Sequence, residues 1–287
     1  MNIKITLLLI LALFSVSTSP IVAKALTEVG AISISFWRML FASMILWIYT
    51  MFKPQGRMKV SDNKAKTIYA GILLGIHFAL FFKAIKITNI ANATFLGTLA
   101  PFFTLLIEMY FLRRNYDKKI IIGLLFTFIG SIIIFSYDLN LQSTYTLGNI
   151  YAILCSICLA CAFMIAEKVR ENEKTIVYTR TLYLSAAGTL LFIACILNEN
   201  LIQYSFNEYV GLLFLGIVPT ILGHNSIYYA VKYVSPTIVA AFPLGEPVIA
   251  TILAFFIFQE IITLNIFIGG FITLVGLILI SQYKKIK

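Results

Sequence analysis

The sequence is poor in charged residues, which make up 12% of it, and it contains only two histidines and two tryptophans. Soluble domains carry about 25% charged residues. Hydrophobic residues reach 60% and the mean hydropathy is +0.95, an excess that a soluble core cannot hide. The composition therefore excludes a soluble domain and predicts an all-α integral membrane protein.

Motifs of catalysis and nucleotide binding are missing as well. The sequence contains no paired-histidine zinc motif, no Gly-x-Ser-x-Gly element and no P-loop. We therefore expect neither an enzyme nor direct coupling to ATP hydrolysis, and we predict no cofactor or metal ion. Cys155, Cys158 and Cys161 share a helical face without a histidine or a fourth ligand. That pattern favours packing between helices over metal ligation.

Apolar runs interrupted by polar clusters predict ten transmembrane helices, because about 20 residues cross the hydrocarbon of a bilayer. The predicted spans are 3–23, 29–51, 67–87, 90–112, 119–137, 148–167, 176–196, 209–231, 236–258 and 263–283. The sequence Ala23-Lys24-Ala25 resembles a signal-peptidase site. We expect the first span to be retained, because the repeat described below needs it.

The formal net charge of +10 lies in short clusters between the apolar runs. No cluster is interleaved with aromatic residues that would stack on bases, so the predicted partner is the lipid bilayer and no nucleic acid. Clusters at 53–66, 113–119 and 168–174 fall on one side of a ten-span topology. Basic residues mark the cytoplasmic side of membrane proteins. We therefore predict a multi-pass protein of the cell inner membrane with both termini in the cytoplasm.

An internal repeat is also predicted, because similar residues recur at one constant separation. The pairs are Pro101 with Pro247, Gly123 with Gly269, Thr127 with Thr273, and Gly130 with Gly276. The predicted halves, 1–147 and 148–287, each contain five spans. Because five is odd, the second half enters the membrane from the opposite side. Such inverted repeats are typical of secondary transporters that work by alternating access around a midplane site.

Charged residues deep inside predicted spans are candidates for a substrate site, because they are costly in lipid. Glu246 lies about 15 Å into the ninth span. Arg38 has a similar depth in the second span and follows Trp37, whose ring can stack on a planar group while the guanidinium holds a carboxylate. Two alternatives stay open: a packing role for Glu246, and an internal salt bridge between the two charges.

Polar residues midway along the eighth span form a second candidate group. His224, Asn225 and Tyr228 predict a polar patch, with His224 and Tyr228 on one helical face. Histidine can relay protons near neutral pH. Proton-coupled transport is therefore an alternative to a plain hydrogen bond between helices, and His77 in the third span has the same status.

The fourth span carries Thr94, Thr98, Pro101 and Glu108 on one face. This face is expected to contact protein or water, with Thr98 lining the substrate path or bonding to a neighbouring helix. Glu108 is expected near the cytoplasmic end, paired with one of the arginines that follow it. Pro101 and Pro247 are predicted to break their helices, because proline lacks an amide donor.

Two sets of residues resemble EamA-type transporters of the drug/metabolite transporter superfamily. The sets are Phe36-Trp37-Arg38, Ala84-Ile85-Lys86 and Ala100-Pro101-Phe102 in the first half, and Leu244-Gly245-Glu246-Pro247, Gln259-Glu260, Gly269 and Gly276 in the second. The resemblance covers nearly the whole chain and implies a ten-helix inverted repeat that moves small metabolites around a central cavity. Many relatives have an acidic residue where this first repeat has Arg113-Arg114, so no symmetric partner of Glu260 is expected.

The expected function is a secondary transporter for a small metabolite, an amino acid or a similar zwitterion, with export favoured. The alternative is a flippase for a lipid-linked sugar or another amphipathic carrier, which would need an opening toward the bilayer. The glycines of the fifth and tenth spans permit close approach of helices. They predict either a homodimer contact or a scaffold between the two halves.

Overall fold

The computed structural model describes residues 1–88, 90–136, 146–259 and 264–282, and in these ranges the protein is helical without any β-strand. Glu260 and the side chains of Lys86 and Thr94 lie outside what is described, so the predictions made for them are not addressed further.

Thirteen α-helices occur in the described ranges. They are α1 (Ile3–Ala25), α2 (Ala31–Phe52), α3 (Ser61–Ile87), α4 (Ile90–Gly97), α5 (Ala100–Leu106), α6 (Lys118–Phe135), α7 (Thr146–Asn172), α8 (Thr175–Leu197), α9 (Phe206–Leu215), α10 (Asn225–Ala230), α11 (Pro236–Ala241), α12 (Glu246–Phe258) and α13 (Leu264–Ser281). Two π-helical segments, Ile107–Phe111 and Gly216–His224, continue α5 and α9, and a 3-10 segment, Phe242–Gly245, joins α11 to α12.

Eight helical segments among the described residues are long and apolar enough to cross a membrane. They are Ile3–Ala25, Ala31–Phe52, Ser61–Ile85, Thr146–Asn172, Thr175–Leu197, Phe206–Ala230, Pro236–Phe258 and Leu264–Ser281. The protein is thus a multi-pass helical membrane protein. The predicted spans 90–112 and 119–137 coincide with further helices but are not among these eight. The count of ten therefore stays a prediction.

Two of the long apolar segments are interrupted just before a proline. One interruption separates α4 from α5, and Pro101 then occupies the first turn of α5. The other is the 3-10 segment Phe242–Gly245, after which Pro247 lies in the first turn of α12. Proline is tolerated in a first turn because the amide donor that it lacks would have no partner there.

The closest helix contact joins α6 to α13 through glycines. A Cβ atom on Gly130 would lie 2.5 Å from the Gly269 carbonyl oxygen, and one on Gly276 would lie 2.6 Å from the Gly123 carbonyl oxygen. Only residues without a side chain permit this approach. These glycines therefore connect the two predicted halves within one chain, as the scaffold alternative predicts.

The other extensive contacts also join the first half of the chain to the second. Helix α3 packs on α7 and α8, α2 packs on α8, α1 packs on the π segment Gly216–His224, and α5 packs on α11. The buried core of the described residues consequently lies between the two predicted halves. As far as it is described, neither half forms a core by itself.

The connections at one end of the bundle carry seven of the 22 lysine and arginine residues, and we call this the basic end. It comprises residues 53–60, 112–117, 173–174 and 231–235. Contacts bring these connections together: Glu173 accepts hydrogen bonds from the Lys59 amide at 2.8 Å and the Val60 amide at 3.0 Å, and Tyr116 Oη lies 2.8 Å from Ser235 Oγ.

Glu173 serves as a cap for the beginning of α3. Its side chain also accepts from Asn63 Nδ2 at 3.1 Å, and the residue is 2% exposed. Burial alone would raise the pKa of this carboxyl, but the hydrogen bonds from Val60, Lys59 and Asn63 hold the pKa below its ordinary value of 4.5. At the opposite end, Glu199 accepts from the Ile32 amide at 3.1 Å at the start of α2. Acidic side chains from elsewhere in the chain thus complete two helix N-termini.

The contact between α6 and α13 can be tested with Gly130→Ala. The new Cβ would lie 2.3 Å from Thr273 Oγ1, so the helices must separate, at a cost of about 1–3 kcal/mol of folding free energy. Gly188→Ala is the matched control, because a Cβ on Gly188 meets nothing within 4 Å. Thermal unfolding in detergent should show a lower midpoint for Gly130→Ala and an unchanged or higher one for Gly188→Ala. Equal midpoints for both variants would contradict the close packing.

The cap by Glu173 predicts a pH dependence of stability. Because its pKa is lowered in the folded protein, the cap stabilises the fold above about pH 4.5, and this stabilisation is lost as the pH falls through the lower folded value. Glu173→Gln should therefore destabilise the protein at pH 7 by about 1.5 kcal/mol, and this deficit should shrink as the pH is lowered below 4.5. Thermal melts of wild type and variant over a series of pH values measure the effect; a deficit that does not change with pH would rule out a role for the ionised carboxylate.

Candidate functional site

Arg38 lies at the centre of the bundle and is 3% exposed. Its Nε donates to Thr220 Oγ1 at 2.8 Å, and its Nη1 donates to Ser19 Oγ at 3.0 Å. The guanidinium carbon also lies 4.8 Å from the ring centroid of Phe78. All of these partners are neutral. A buried cation is costly without an anionic partner, so Arg38 stands out among the buried residues described.

Glu246 begins α12 and is partly buried. Its carboxylate forms no hydrogen bond and no ion pair within 4.0 Å in the described part of the chain, although it lies within electrostatic range of Arg38. The direct salt bridge that the sequence left open is therefore not formed in this structure.

The π segment Gly216–His224 brings polar groups against Arg38. Thr220 Oγ1 donates to the Leu215 carbonyl at 2.8 Å, five residues earlier, while accepting from Arg38. Gly216 packs against α2, where an added Cβ would lie 2.9 Å from the Cβ of Phe41. π-helical turns occur mostly at functional positions. This one places a hydroxyl where the guanidinium needs an acceptor.

His224 and Tyr228 supply polar atoms that have no hydrogen-bond partner among the described residues. These atoms, His224 Nδ1 and Tyr228 Oη, are both buried. The two rings are 6.4 Å apart between centroids, and the His224 ring lies 6.0 Å from Phe78. Because Phe78 also contacts the guanidinium of Arg38, all four side chains belong to one cluster. Unsatisfied buried polar atoms are rare and indicate a place for a ligand or water.

Asn225 and His77 are engaged by neighbouring helices. Tyr183 Oη donates to Asn225 Oδ1 at 2.9 Å. His77 Nδ1 lies 2.9 Å from the Cys155 carbonyl oxygen. Because a carbonyl only accepts, His77 carries a proton on Nδ1, which leaves Nε2 as the acceptor of the neutral ring. His77 is close enough to Arg38 and His224 to interact with them electrostatically.

The structure places Trp37 and Thr98 outside this cluster. Trp37 Nε1 donates to the Leu201 carbonyl at 2.7 Å, and its ring packs on Tyr209, so it connects α2 to the end opposite the basic end. Thr98 Oγ1 donates to the Phe95 carbonyl at 3.0 Å at the break between α4 and α5. The aromatic face beside the guanidinium belongs to Phe78, not to Trp37.

Several residues of the cluster were not singled out from the sequence. Ser19, Thr220, Tyr183 and Phe78 all contact it. The run of small polar residues in the first span, 15–19, was a usable signal for Ser19. The other three look like ordinary span residues until the helices are assembled.

A second polar network lies at the basic end. Glu108, fully buried on the π segment Ile107–Phe111, accepts from Arg114 Nη1, from Tyr116 Oη at 2.6 Å, and from the Thr237 amide at 3.1 Å and the Thr237 hydroxyl. Arg114 also pairs with Glu167 on α7 at 2.9 Å. Of the two arginines that follow Glu108, Arg114 is thus its partner. The network joins α5, α7 and α11.

Electrostatics strengthen this network. Burial lowers the pKa of Arg114, but hydrogen bonds and charge attraction from Glu167 and Glu108 outweigh burial and raise that pKa above its ordinary value. Burial, together with the negative charge of Glu108, raises the pKa of Tyr116. Both groups therefore stay protonated at any physiological pH.

The central cluster draws its residues from α1, α2, α3, α8, α10, α12 and the π segment, and thus from both halves of the chain. It thus combines a buried cation without an anionic partner within 4.0 Å with unsatisfied buried polar atoms, which makes it the candidate functional site. The chain belongs to the EamA-like transporter family, which it matches over residues 3–136 and 146–282. This family lies in the drug/metabolite transporter superfamily, as the sequence resemblance implied.

The similar proteins whose names state a function are transporters. The chain is 25% identical to the pseudopaline exporter CntI of Pseudomonas aeruginosa over 283 residues, covering 97% of this chain and 96% of that protein. It is 27% identical to an uncharacterized transporter of Archaeoglobus fulgidus, covering 97% and 98%. It is 24% identical to the S-adenosylmethionine uptake transporter of Rickettsia conorii, covering 88% and 83%.

A solved crystal structure has the same fold. It superimposes with a TM-score of 0.84 over 98% of this chain and 97% of that one, at 15% sequence identity. At that identity the likeness concerns the fold alone.

Two tyrosines of the cluster allow a test that separates packing from ligand binding. Tyr183→Phe removes the hydrogen bond to Asn225 and should lower the free energy of unfolding by about 1 kcal/mol. Tyr228→Phe removes a buried hydroxyl that has no partner among the described residues, so it should leave stability unchanged or slightly raised. Thermal unfolding of both variants without ligand measures the difference. A clear loss of stability in Tyr228→Phe would mean that its hydroxyl is already satisfied.

Proposed function

We propose that this protein is a secondary transporter that carries a small zwitterionic metabolite, such as an amino acid, across the inner membrane by alternating access. In this proposal Arg38 binds the carboxylate of the substrate, Glu246 attracts its amine, and His224, Tyr228 and Asn225 line the site. His77 lies on the side of these residues that faces away from the substrate. No cofactor is required, and coupling to protons through the histidines remains part of the hypothesis.

The observation that carries the proposal is the buried guanidinium of Arg38. Its hydrogen-bond acceptors are two hydroxyl groups, and no carboxylate of the described chain lies within 4.0 Å. A substrate carboxylate would supply the missing negative charge and accept charge-assisted hydrogen bonds. Glu246, which is also unpaired at hydrogen-bond distance, provides the opposite charge nearby. A zwitterion satisfies both groups, whereas a simple anion satisfies only one.

The contact between α6 and α13 supports an inverted repeat of ten spans. Gly123 and Gly130 of the first half are the predicted equivalents of Gly269 and Gly276 of the second. Gly130 meets Gly269 and Gly276 meets Gly123, so each contact is the other with the halves exchanged. The two helices are antiparallel where they meet. A two-fold axis that exchanges antiparallel transmembrane helices lies in the membrane plane, as an inverted repeat requires.

If ten spans are counted, the remaining helix contacts also obey a two-fold axis that exchanges the two halves. The second span packs on the seventh and the fourth on the ninth, and these pairs map onto themselves when the halves are exchanged. The first span packs on the eighth and the third on the sixth, and these two pairs map onto each other. Two similar halves that exchange conformations would open a site between them to either side in turn.

The orientation follows from the basic end, which we propose to be cytoplasmic because lysine and arginine accumulate on that side. Among the named relatives, the exporter covers 97% of this chain and the uptake transporter 88%. Export is therefore the direction that we favour.

Transport into proteoliposomes tests the proposal. A thermal-shift screen of amino acids, related zwitterions and lipid-linked sugars first finds a stabilising compound, since a ligand that binds only the folded state raises its stability. Uptake of that compound is then compared in wild type, Arg38→Gln, Glu246→Gln and Tyr228→Phe. We expect uptake to fall at least about tenfold for the two charge variants, which lose charge-assisted contacts, and several-fold for Tyr228→Phe.

Lys168→Gln and Glu171→Gln are the matched controls, because they remove one charge of each sign from exposed positions of α7. They should transport like wild type. Unchanged uptake in both Arg38→Gln and Glu246→Gln would refute the site. Stabilisation by lipid-linked sugars alone would indicate a flippase and would contradict the proposal of a metabolite transporter.

A further inference from the structure

A cavity of about 720 Å³ opens at the basic end, away from the central cluster. It lies between the end of α2, the beginning of α3 and the beginning of α8. Three basic side chains line it, Arg57, Lys64 and Arg180, and no acidic residue is part of its lining. The charged residues that line the cavity are therefore all basic.

Arg180 is the buried member of this group, with 8% of its surface exposed. Its Nη2 donates to the Gly56 carbonyl at 2.9 Å, and its guanidinium lies 4.2 Å from the ring centroid of Trp47. Its Nε is buried and has no hydrogen-bond partner in the described chain. The tryptophan and the carbonyl thus hold the guanidinium in place while one donor stays unused, as a site for an external acceptor requires.

The local backbone contributes to the arrangement. Gly56 has a positive φ of 84°, a conformation that glycine adopts without strain, and this turn presents the carbonyl to Arg180. Val60 and Ser61, at the beginning of α3, also line the cavity, whereas Glu173, which accepts from the Val60 amide, is not part of the lining. Asp62 nearby is paired with Lys66 at 2.5 Å and is not part of the lining.

The rest of the cavity wall is apolar. Ile68 and Leu184 lie deeper along α3 and α8, and both are exposed on the surface of the bundle. Arg180 is the sixth residue of α8, which places it about 8 Å along the helix from its beginning. The cations thus lie near the membrane surface and the apolar wall extends toward the hydrocarbon. A lipid has the same distribution of properties, with a charged phosphate above acyl chains.

We propose that this cavity binds the phosphate headgroup of an anionic phospholipid of the leaflet at the basic end. Arg180 Nε and the side chains of Arg57 and Lys64 bind the phosphate oxygens, and Ile68 and Leu184 contact the first part of an acyl chain. The bundle presents basic residues to anionic lipid at this depth, and juxtamembrane basic clusters bind such headgroups. This site is independent of the transport function proposed above.

Binding of lipids to the purified full-length protein tests the proposal. Native mass spectrometry in detergent gives dissociation constants for phosphatidylglycerol and for phosphatidylcholine of the same acyl chains. Wild type is compared with the double variant Arg57→Gln/Lys64→Gln, whose residues are exposed and whose substitution should not disturb folding. We expect phosphatidylglycerol to bind more tightly than phosphatidylcholine, and the preference to fall about tenfold or more in the double variant.

The matched control is Lys118→Gln/Lys119→Gln, which removes two exposed basic residues at the beginning of α6, outside the cavity. It should keep the wild-type preference. Arg180→Lys keeps the charge but removes Nε, and it should also weaken phosphatidylglycerol binding. Equal lipid preference in wild type and the Arg57/Lys64 variant, or an equal loss in the control, would overturn the proposal.

A second arm distinguishes a lipid from a soluble anion. Inorganic phosphate and glycerol 3-phosphate are titrated in a thermal-shift assay without added lipid. If either stabilises wild type but not the double variant, while phosphatidylglycerol shows no preference, the site binds a soluble phosphate and the lipid assignment is wrong. Stabilisation by phosphatidylglycerol alone supports the lipid.

Discussion

The structure depends on one constraint: polar groups placed among apolar helices must be satisfied from within the protein, because hydrocarbon offers no partner. Each break in a helix follows this rule. Pro101 and Pro247 occupy first turns, where a missing amide costs nothing. Glu173 and Glu199 supply acceptors to the amides at the beginning of α3 and α2. Arg170, 2% exposed, donates to the carbonyl groups of Tyr228 and Glu173.

Against this background the central cluster is an exception, as are Tyr178 Oη, Arg180 Nε and Thr273 Oγ1, which are also buried without a partner among the described residues. Arg38 has only neutral acceptors, Glu246 has no hydrogen bond, and His224 and Tyr228 each leave a buried polar atom unpaired in the described chain. A chain that satisfies Arg170 and Glu173 so fully has the means to satisfy these groups too. A bound molecule would complete their pairing, as the proposed function requires.

More of the fold than of the candidate site could be predicted from the sequence. Apolar runs reveal helices because hydrocarbon fixes their length and polarity, although α3 begins at Ser61, before the predicted span at 67, since its charged first turns extend beyond the apolar run. Arg38 and Glu246 stand out because charges are conspicuous in such runs. Phe78 and Tyr183 do not, because aromatic residues are common there. Their role depends on which helices meet, and no local pattern encodes that.

The position of Trp37 shows the same limit of prediction from the sequence for a single residue. Neighbours in a helix point about 100° apart, so Trp37 and Arg38 face different surroundings: the indole reaches the Leu201 carbonyl, and the guanidinium reaches Phe78. Adjacency in the sequence suggested a shared site, but helical geometry separates the two side chains. The aromatic partner of the guanidinium comes from α3 instead.

The network at the basic end bears on how the central site could open. Glu108 binds the amide and the hydroxyl of Thr237 at the beginning of α11, and the same segment leads through Phe242–Gly245 to Glu246. Arg114 meanwhile links Glu108 to Glu167 on α7. Opening toward the basic end would separate α5 from α11 and would break the bonds to Thr237. Such a movement would also displace the start of α12, because only a short 3-10 segment lies between. Glu246 and the network at the basic end are therefore connected through α11 and the 3-10 segment, so a movement of one would displace the other.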